Sequence, residues 1–128
     1  MKLLYILSSI LIFSISSSFG QTSPDLSKLS KKQVEIMDSL NAYIDIIINK
    51  EAPYEVVMPA RNKAESLFNP EALIEVSIPG QSEIRKFRSG KYLARIQLLK
   101  YEEVNITAIE FDKKDKIISA NVVQVTKP

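Results

Sequence analysis

Five cations fall within eleven residues: Arg85, Lys86, Arg88, Lys91 and Arg95, in the stretch IRKFRSGKYLAR. Guanidinium and ammonium groups gathered this way bind phosphate, a lipid headgroup or an acidic glycan. Lys91 and Arg95 are four residues apart, on one helix face. Arg88 and Lys91 flank Ser89-Gly90, where a helix N-terminus would add free N–H groups of its own. Arg85, Arg88, Lys91 and Arg95 are therefore the candidate anion-binding residues. The competing reading is a solvated rim whose cations pair with Glu83, Glu102 and Glu103, since charge runs usually form exposed surface.

Other chemistry is poorly supplied. The chain has no histidine, which removes the commonest general base and the usual partner in metal sites and triads. It has no cysteine either. The densest carboxylates are Glu102-Glu103 with Asp112 and Asp115, interspersed with lysines, and DKKDKIISAN lacks the two-residue ligand spacing and the glycine of a calcium loop. The three glycines are too far apart to cradle a phosphate. No metal and no cofactor is expected. Asn105-Ile106-Thr107 matches a glycosylation sequon but falls inside a predicted strand. Met37 and Met58 read as core filler.

The N-terminus reads as an export signal. Met1-Lys2 is a short positive start, Leu3 to Ile15 is apolar apart from three serines, and Ser18 and Gly20 are small residues at the positions a signal peptidase reads. The apolar run falls short of the ~20 residues that span a membrane. An uncleaved anchor is the alternative, but no positive stop-transfer flank follows. Cleavage after Gly20 leaves 108 residues with 16 basic and 15 acidic side chains, because Lys2 is the only charge before that point. The expected location is periplasmic or secreted, with no stable membrane span after cleavage. A near-neutral domain is not a general nucleic-acid binder. Without disulfides, its stability must come from packing, which a single domain of this length can supply.

The elements follow from pattern. Residues 21–29 (QTSPDLSKL) are polar and read as a flexible leader. Residues 30–128 read as one domain. Ser30-Lys31-Lys32-Gln33 forms a capping box, followed by Val34, Met37, Leu40, Ile44 and Ile47/Ile48 at helical spacing. Pro53 stops that helix. Pro59 suits the first position of a second, short helix with Ala60, Ala64, Leu67 and Phe68 on its apolar side, ended by Asn69-Pro70. A strand runs from Ala72 to Ile78, with Ala72, Ile74, Val76 and Ile78 on one face. Pro79-Gly80 is a turn, and Glu83 to Phe87 is extended. Ser89 is the expected N-cap of a third helix over Gly90 to Lys100, with Tyr92, Leu93, Ile96 and Leu99 apolar. Two closing strands make an antiparallel hairpin around DKKDK. In the first, Val104, Ile106 and Ala108 share a face. In the second, Ile118, Ala120 and Val122 do.

The segments AESLFNPEALIEVSIPG and SGKYLARIQLLKYEEVNI resemble the nuclear-transport-factor-2-like superfamily in layout and apolar pattern over Gln33 to Val125. The resemblance implies an α+β fold: N-terminal helices packed on a curved antiparallel sheet, a cone-like roll with an apolar mouth. That fold continues through further strands after the hairpin, and this chain stops at Pro128. A trimmed variant, a gene fragment, or strands supplied by a partner would account for that. A sheet edge left open is a template for another chain, so a homodimer, or else marginal stability, is the expectation. Isomerases of the superfamily carry a catalytic Asp in a V-E-D-P-x-G pattern. Here IEVSIPG keeps Glu75 but has Val76 and Ser77 where the Asp belongs. Tyr43 and Glu75 remain as the candidate catalytic pair, because a carboxylate enclosed with a tyrosine in an apolar pocket can move protons. Against that pair, Glu75 in an alternating strand reads first as a solvent-facing residue.

The functional expectation is an exported, non-enzymatic domain binding an apolar small molecule in its cone or a protein partner on its sheet. Two alternatives stand beside it: an isomerase- or dehydratase-type enzyme using Tyr43 and Glu75, and an interaction or dimerisation protein working through an open sheet edge.

Overall fold

The computed structural model describes residues 26–100 and 103–125. The export signal and its cleavage after Gly20 lie outside the described residues. Of the expected leader, Leu26–Lys28 form a turn of 3-10 helix and Leu29 packs against the core.

Helix α1 (Lys31–Ile48) opens on the expected capping box. Ser30 Oγ accepts from the Gln33 N–H, and Gln33 Oε1 accepts from the Ser30 N–H, both at 3.1 Å. Met37, Leu40, Ile44, Ile47 and Ile48 are its buried residues. Helix α2 (Tyr54–Ser66) begins earlier than expected, with Pro53 as its N-cap. The Pro53 carbonyl accepts from Val56 and Val57 at 2.9 and 3.0 Å. Pro59 is therefore inside the helix, not at its start. It costs the bond to the Glu55 carbonyl, but both residues are exposed, so water can replace the missing donor. Starting at Tyr54 adds Val57 to the buried row with Ala60 and Ala64.

Strand β1 (Phe68–Ser77) also starts earlier than expected. Asn69-Pro70 does not separate helix from strand; it sits in an irregular part of β1, where register breaks between Phe68 and Leu73. Proline is tolerated at such an irregularity because no ladder bond is needed there. The Ile78–Gln81 turn closes with the Gln81 N–H on the Ile78 carbonyl at 3.0 Å, and Gly80 takes a φ of 86°. Proline second and a positive-φ glycine third make it a type II turn. β2 (Arg85–Arg88) pairs antiparallel with β1 as far as Arg88 opposite Leu73. Helix α3 (Ser89–Leu99) follows at once, so Arg88 is the N-cap and Ser89 is already helical and buried. Leu99, expected inside, is exposed.

β3 (Glu103–Phe111) and β4 (Ile117–Val125) form the expected hairpin. The sheet order is β2-β1-β4-β3. The α+β class holds: three helices cover one face of an open, four-stranded sheet. The sheet is mixed, not wholly antiparallel, because β4 lies parallel to β1 at its centre. Ile74, Val76, Ala120 and Val122 face the helices. Tyr92, Leu40, Ile47, Leu93, Ile96, Ile117 and Val76 are fully buried, and side chains occupy the space where the hollow of a cone would lie. One expected face is overturned by a bulge. Ile106 pairs with Val122 and Ala108 with Asn121, so Thr107 is extra. The alternation flips there: Ala108 is exposed, while Ile109 and Phe111 turn inward to the core. A second irregularity at Glu110/Phe111 places Ile117 inside and leaves Ile118 exposed.

Candidate functional site

The two candidate catalytic residues are not brought together. Tyr43, on α1, packs half-buried against the core on the helix side. Glu75 alternates with buried Ile74 and Val76, so it points from the other face of the sheet. Its side chain is 38% exposed and ion-paired to Lys86 at 3.9 Å. A layer of sheet separates the pair, and no shared pocket encloses them.

The five cations divide between two faces. Lys86 and Arg88 extend from β2 onto the outer face, opposite Glu75 and Leu73. Arg88 reaches Glu71 at 3.8 Å and the Pro70 carbonyl at 3.5 Å. Arg85 is exposed opposite Val76. Lys91 and Arg95 lie along the outward stripe of α3, where Arg95 stacks over the Phe87 ring at 5.3 Å. Of the candidate residues Arg85, Arg88, Lys91 and Arg95, Arg88 and Lys91 line one cleft and Lys91 and Arg95 another, so the four do not share a single cleft. The start of α3, flanked by Arg88 and Lys91, already has a carboxylate beside it: a Cβ on Gly90 would stand 2.7 Å from Glu65 Oε2. That acid opposes a bound anion.

Among the described residues, no group of three or more acidic side chains could hold a metal ion. No helix among them is long and apolar enough to cross a membrane.

Two further features stand out: one that the sequence reading missed, and one, an open sheet edge, that it expected without placing. The first is a clasp built on the DKKDK turn. Asp112 Oδ1 accepts from the N–H groups of Lys114 and Lys116 at 2.8 and 3.0 Å, and Oδ2 accepts from Asn69 Nδ2 at 2.9 Å. The Asn69 bond, and after it the Lys116 N–H, hold the Asp112 carboxyl below its ordinary value of 3.8. Asp115, at a φ of 60°, accepts from Gln33 Nε2 at 2.9 Å and lies 3.8 Å from Lys32. Lys116 Nζ donates to the Ser66 carbonyl at 2.8 Å, ending α2. One turn thus ties together α1, α2 and β1. An Asp opening a tight turn is the signal that pointed to it.

The second is the free edge of β3. Among the described residues, nothing pairs with its outer side. A cleft of about 500 Å³ follows that edge, lined by the consecutive residues Thr107 to Phe111. Neighbours in a strand point to opposite faces, so a cleft touching five in a row reaches the backbone of β3, and the exposed Ile118 of the neighbouring β4 lines it too. Lys28, Leu29 and Gln33 form the facing wall. The cleft offers unpaired N–H and C=O groups, an apolar contact at Leu29, and opposite charges at Lys28 and Glu110.

No protein-family model, no curated protein and no solved structure matches the chain. The functional reading therefore rests on these surfaces.

Proposed function

We propose that this chain is an exported, non-enzymatic interaction domain of nuclear-transport-factor-2-like type, which docks an extended segment of a protein partner or of a second copy onto the edge of β3. The observation that carries the reading is the cleft along Thr107–Phe111, where backbone groups of an edge strand face a ready-made wall. Strand addition draws its affinity from main-chain hydrogen bonds and its specificity from pockets for alternate side chains. The order long helix, short helix, strand pair, helix, hairpin supports the superfamily assignment. The separation of Tyr43 from Glu75 supports a binding role over proton transfer. The occupied interior favours a partner on the sheet over a small molecule beneath it.

Ala108→Lys tests this reading. Ala108 is exposed on the strand, and a lysine on an edge discourages pairing without disturbing the core. Sedimentation over a range of concentrations, with cross-linking in the exported fluid, is expected to give a discrete complex that the variant loses. Identical profiles for the two proteins, or a strict monomer with no cross-linked species, reject the reading.

A further inference from the structure

The outward stripe of α3 has features that edge pairing does not use. A groove of about 450 Å³ runs between Phe87 and α3, lined by Ala94, Leu98 and Leu99 with Lys91 and Arg95 on its rim. Leu98 is 80% exposed and Leu99 49%, at the very end of the helix. Ile84, just before β2, is 57% exposed. Isolated exposed leucines need no explanation, but apolar side chains gathered beside unneutralised cations do. Lys86 and Arg88 have carboxylate partners on the outer face of the sheet, whereas among the described residues no carboxylate pairs with Lys91 or Arg95.

The geometry points to a surface that docks on an anionic lipid bilayer through the C-terminal end of α3. Leu98 and Leu99 enter the boundary of headgroups and acyl chains, and Arg95 and Lys91 meet lipid phosphates. Spacing along the helix favours a bilayer over a protein groove. At 1.5 Å per residue, Arg95 and Lys91 stand about 5 and 10 Å behind Leu98. The phosphates of a bilayer lie above its acyl chains, and an interfacial helix sinks its apolar face ~5–10 Å into the boundary between them. A helix tilted tip-first therefore puts both leucines among acyl chains while both cations stay at phosphate level. Leu98 projects from the helix end and is not walled in, which suits a fluid interface better than a peptide. The groove beside Phe87 and the cleft along Thr107–Phe111 are lined by different residues.

The test uses the chain from Gln21, which keeps every buried residue between Met37 and Gln124 and lacks the apolar N-terminus that would bind lipid by itself. Co-sedimentation is measured with vesicles of equimolar phosphatidylglycerol and phosphatidylcholine, and with vesicles of phosphatidylcholine alone. The expected result is binding to the anionic vesicles only, weakened by high salt. Leu98→Asp and the pair Lys91→Glu/Arg95→Glu should each weaken it about tenfold or more, which is ~1.4 kcal/mol. Lys86→Ala, which removes a paired cation on the other face, should leave it unchanged. All these positions are exposed or half-exposed, and circular dichroism verifies each fold. Three results overturn the inference: no vesicle binding, equal binding to both vesicle types, or equal loss in Lys86→Ala. Self-association without vesicles that Leu98→Asp abolishes also overturns it, because a second copy would then cover the patch.

Discussion

Replacing Tyr92 by phenylalanine tests how α3 is locked to the sheet. Tyr92 is 1% exposed, and its hydroxyl donates to Gln124 Oε1 at 2.8 Å; Gln124 is 3% exposed. The substitution keeps the ring and its 5.8 Å contact with Phe87, so the apolar packing is conserved. The buried carbonyl oxygen of Gln124 loses this donor. Leaving a buried polar atom without its partner costs about 1–3 kcal/mol, more than the net ~1 kcal/mol that a typical hydrogen bond contributes. The expected loss is ~2 kcal/mol. With a urea m-value of about 1–2 kcal/mol per molar for a chain of this size, the midpoint should fall by ~1–2 M with m unchanged. Gln124→Met removes the acceptor instead and should also destabilise. The double variant turns both sides apolar and should cost less than the two single changes added, by ~1 kcal/mol or more. Additive costs, or a Tyr92→Phe loss below about 0.5 kcal/mol, would refute the claim that this bond joins helix to strand.

Three further outcomes follow from the same contacts. Asp112 is held deprotonated, chiefly by Asn69, so its stabilising effect is full above the unfolded carboxyl value and is lost as pH falls through the lowered folded value. Asp112→Asn should therefore flatten the acid side of the stability–pH curve, read by urea titrations between neutral pH and about pH 2, and a parallel curve would contradict it. Lys100 Nζ donates to the Ile47 carbonyl at 2.6 Å, at the C-terminal end of α1, so Lys100→Met should cost ~1 kcal/mol, with smaller effects at high salt. Arg61 Nη1 donates to Gln97 Oε1 at 2.7 Å while its buried Nε has no partner. Gln97→Glu gives that guanidinium a carboxylate and should raise the urea midpoint by a stability gain of about 0.5–1 kcal/mol, whereas a fall would mean that the Met58 contact of the Gln97 amide matters more.

The helices were legible because their signals are local. The Ser30–Gln33 box and the three-four spacing of α1 act within a turn or two, and neither needed tertiary context. Boundaries set by distant partners were not. Pro59 looked like a helix start, but burying Val57 against the rest of the fold extended the helix backwards to Tyr54. Ser89 looked like a cap, but the pairing of β2 with β1 runs to Arg88 and leaves no room for a separate cap residue. Strand faces failed for one reason: a period of two predicts side chains only while the ladder is regular, and the extra residue at Thr107 reverses everything after it. The candidate pair was legible in part: the alternation of Ile74 and Val76 already turned Glu75 to the other face, whereas the side on which Tyr43 of α1 packs is set by the tertiary fold.

The same bulge bears on where a partner strand would bind. The two edges of the sheet are protected unequally. β2 is four residues long and three of them are cations, so it offers little to a neighbouring chain. β3 is nine residues long, and bulges usually discourage pairing by twisting an edge away. Here the bulge instead turns Ile109 and Phe111 inward, and the cleft coincides with the segment from Thr107 onward, not with Glu103–Ile106. Its opposite wall is held by the DKKDK clasp, because Gln33 both lines the cleft and donates to Asp115. The wall and the strand edge are thus fixed to each other through a turn that lies outside the pairing surface.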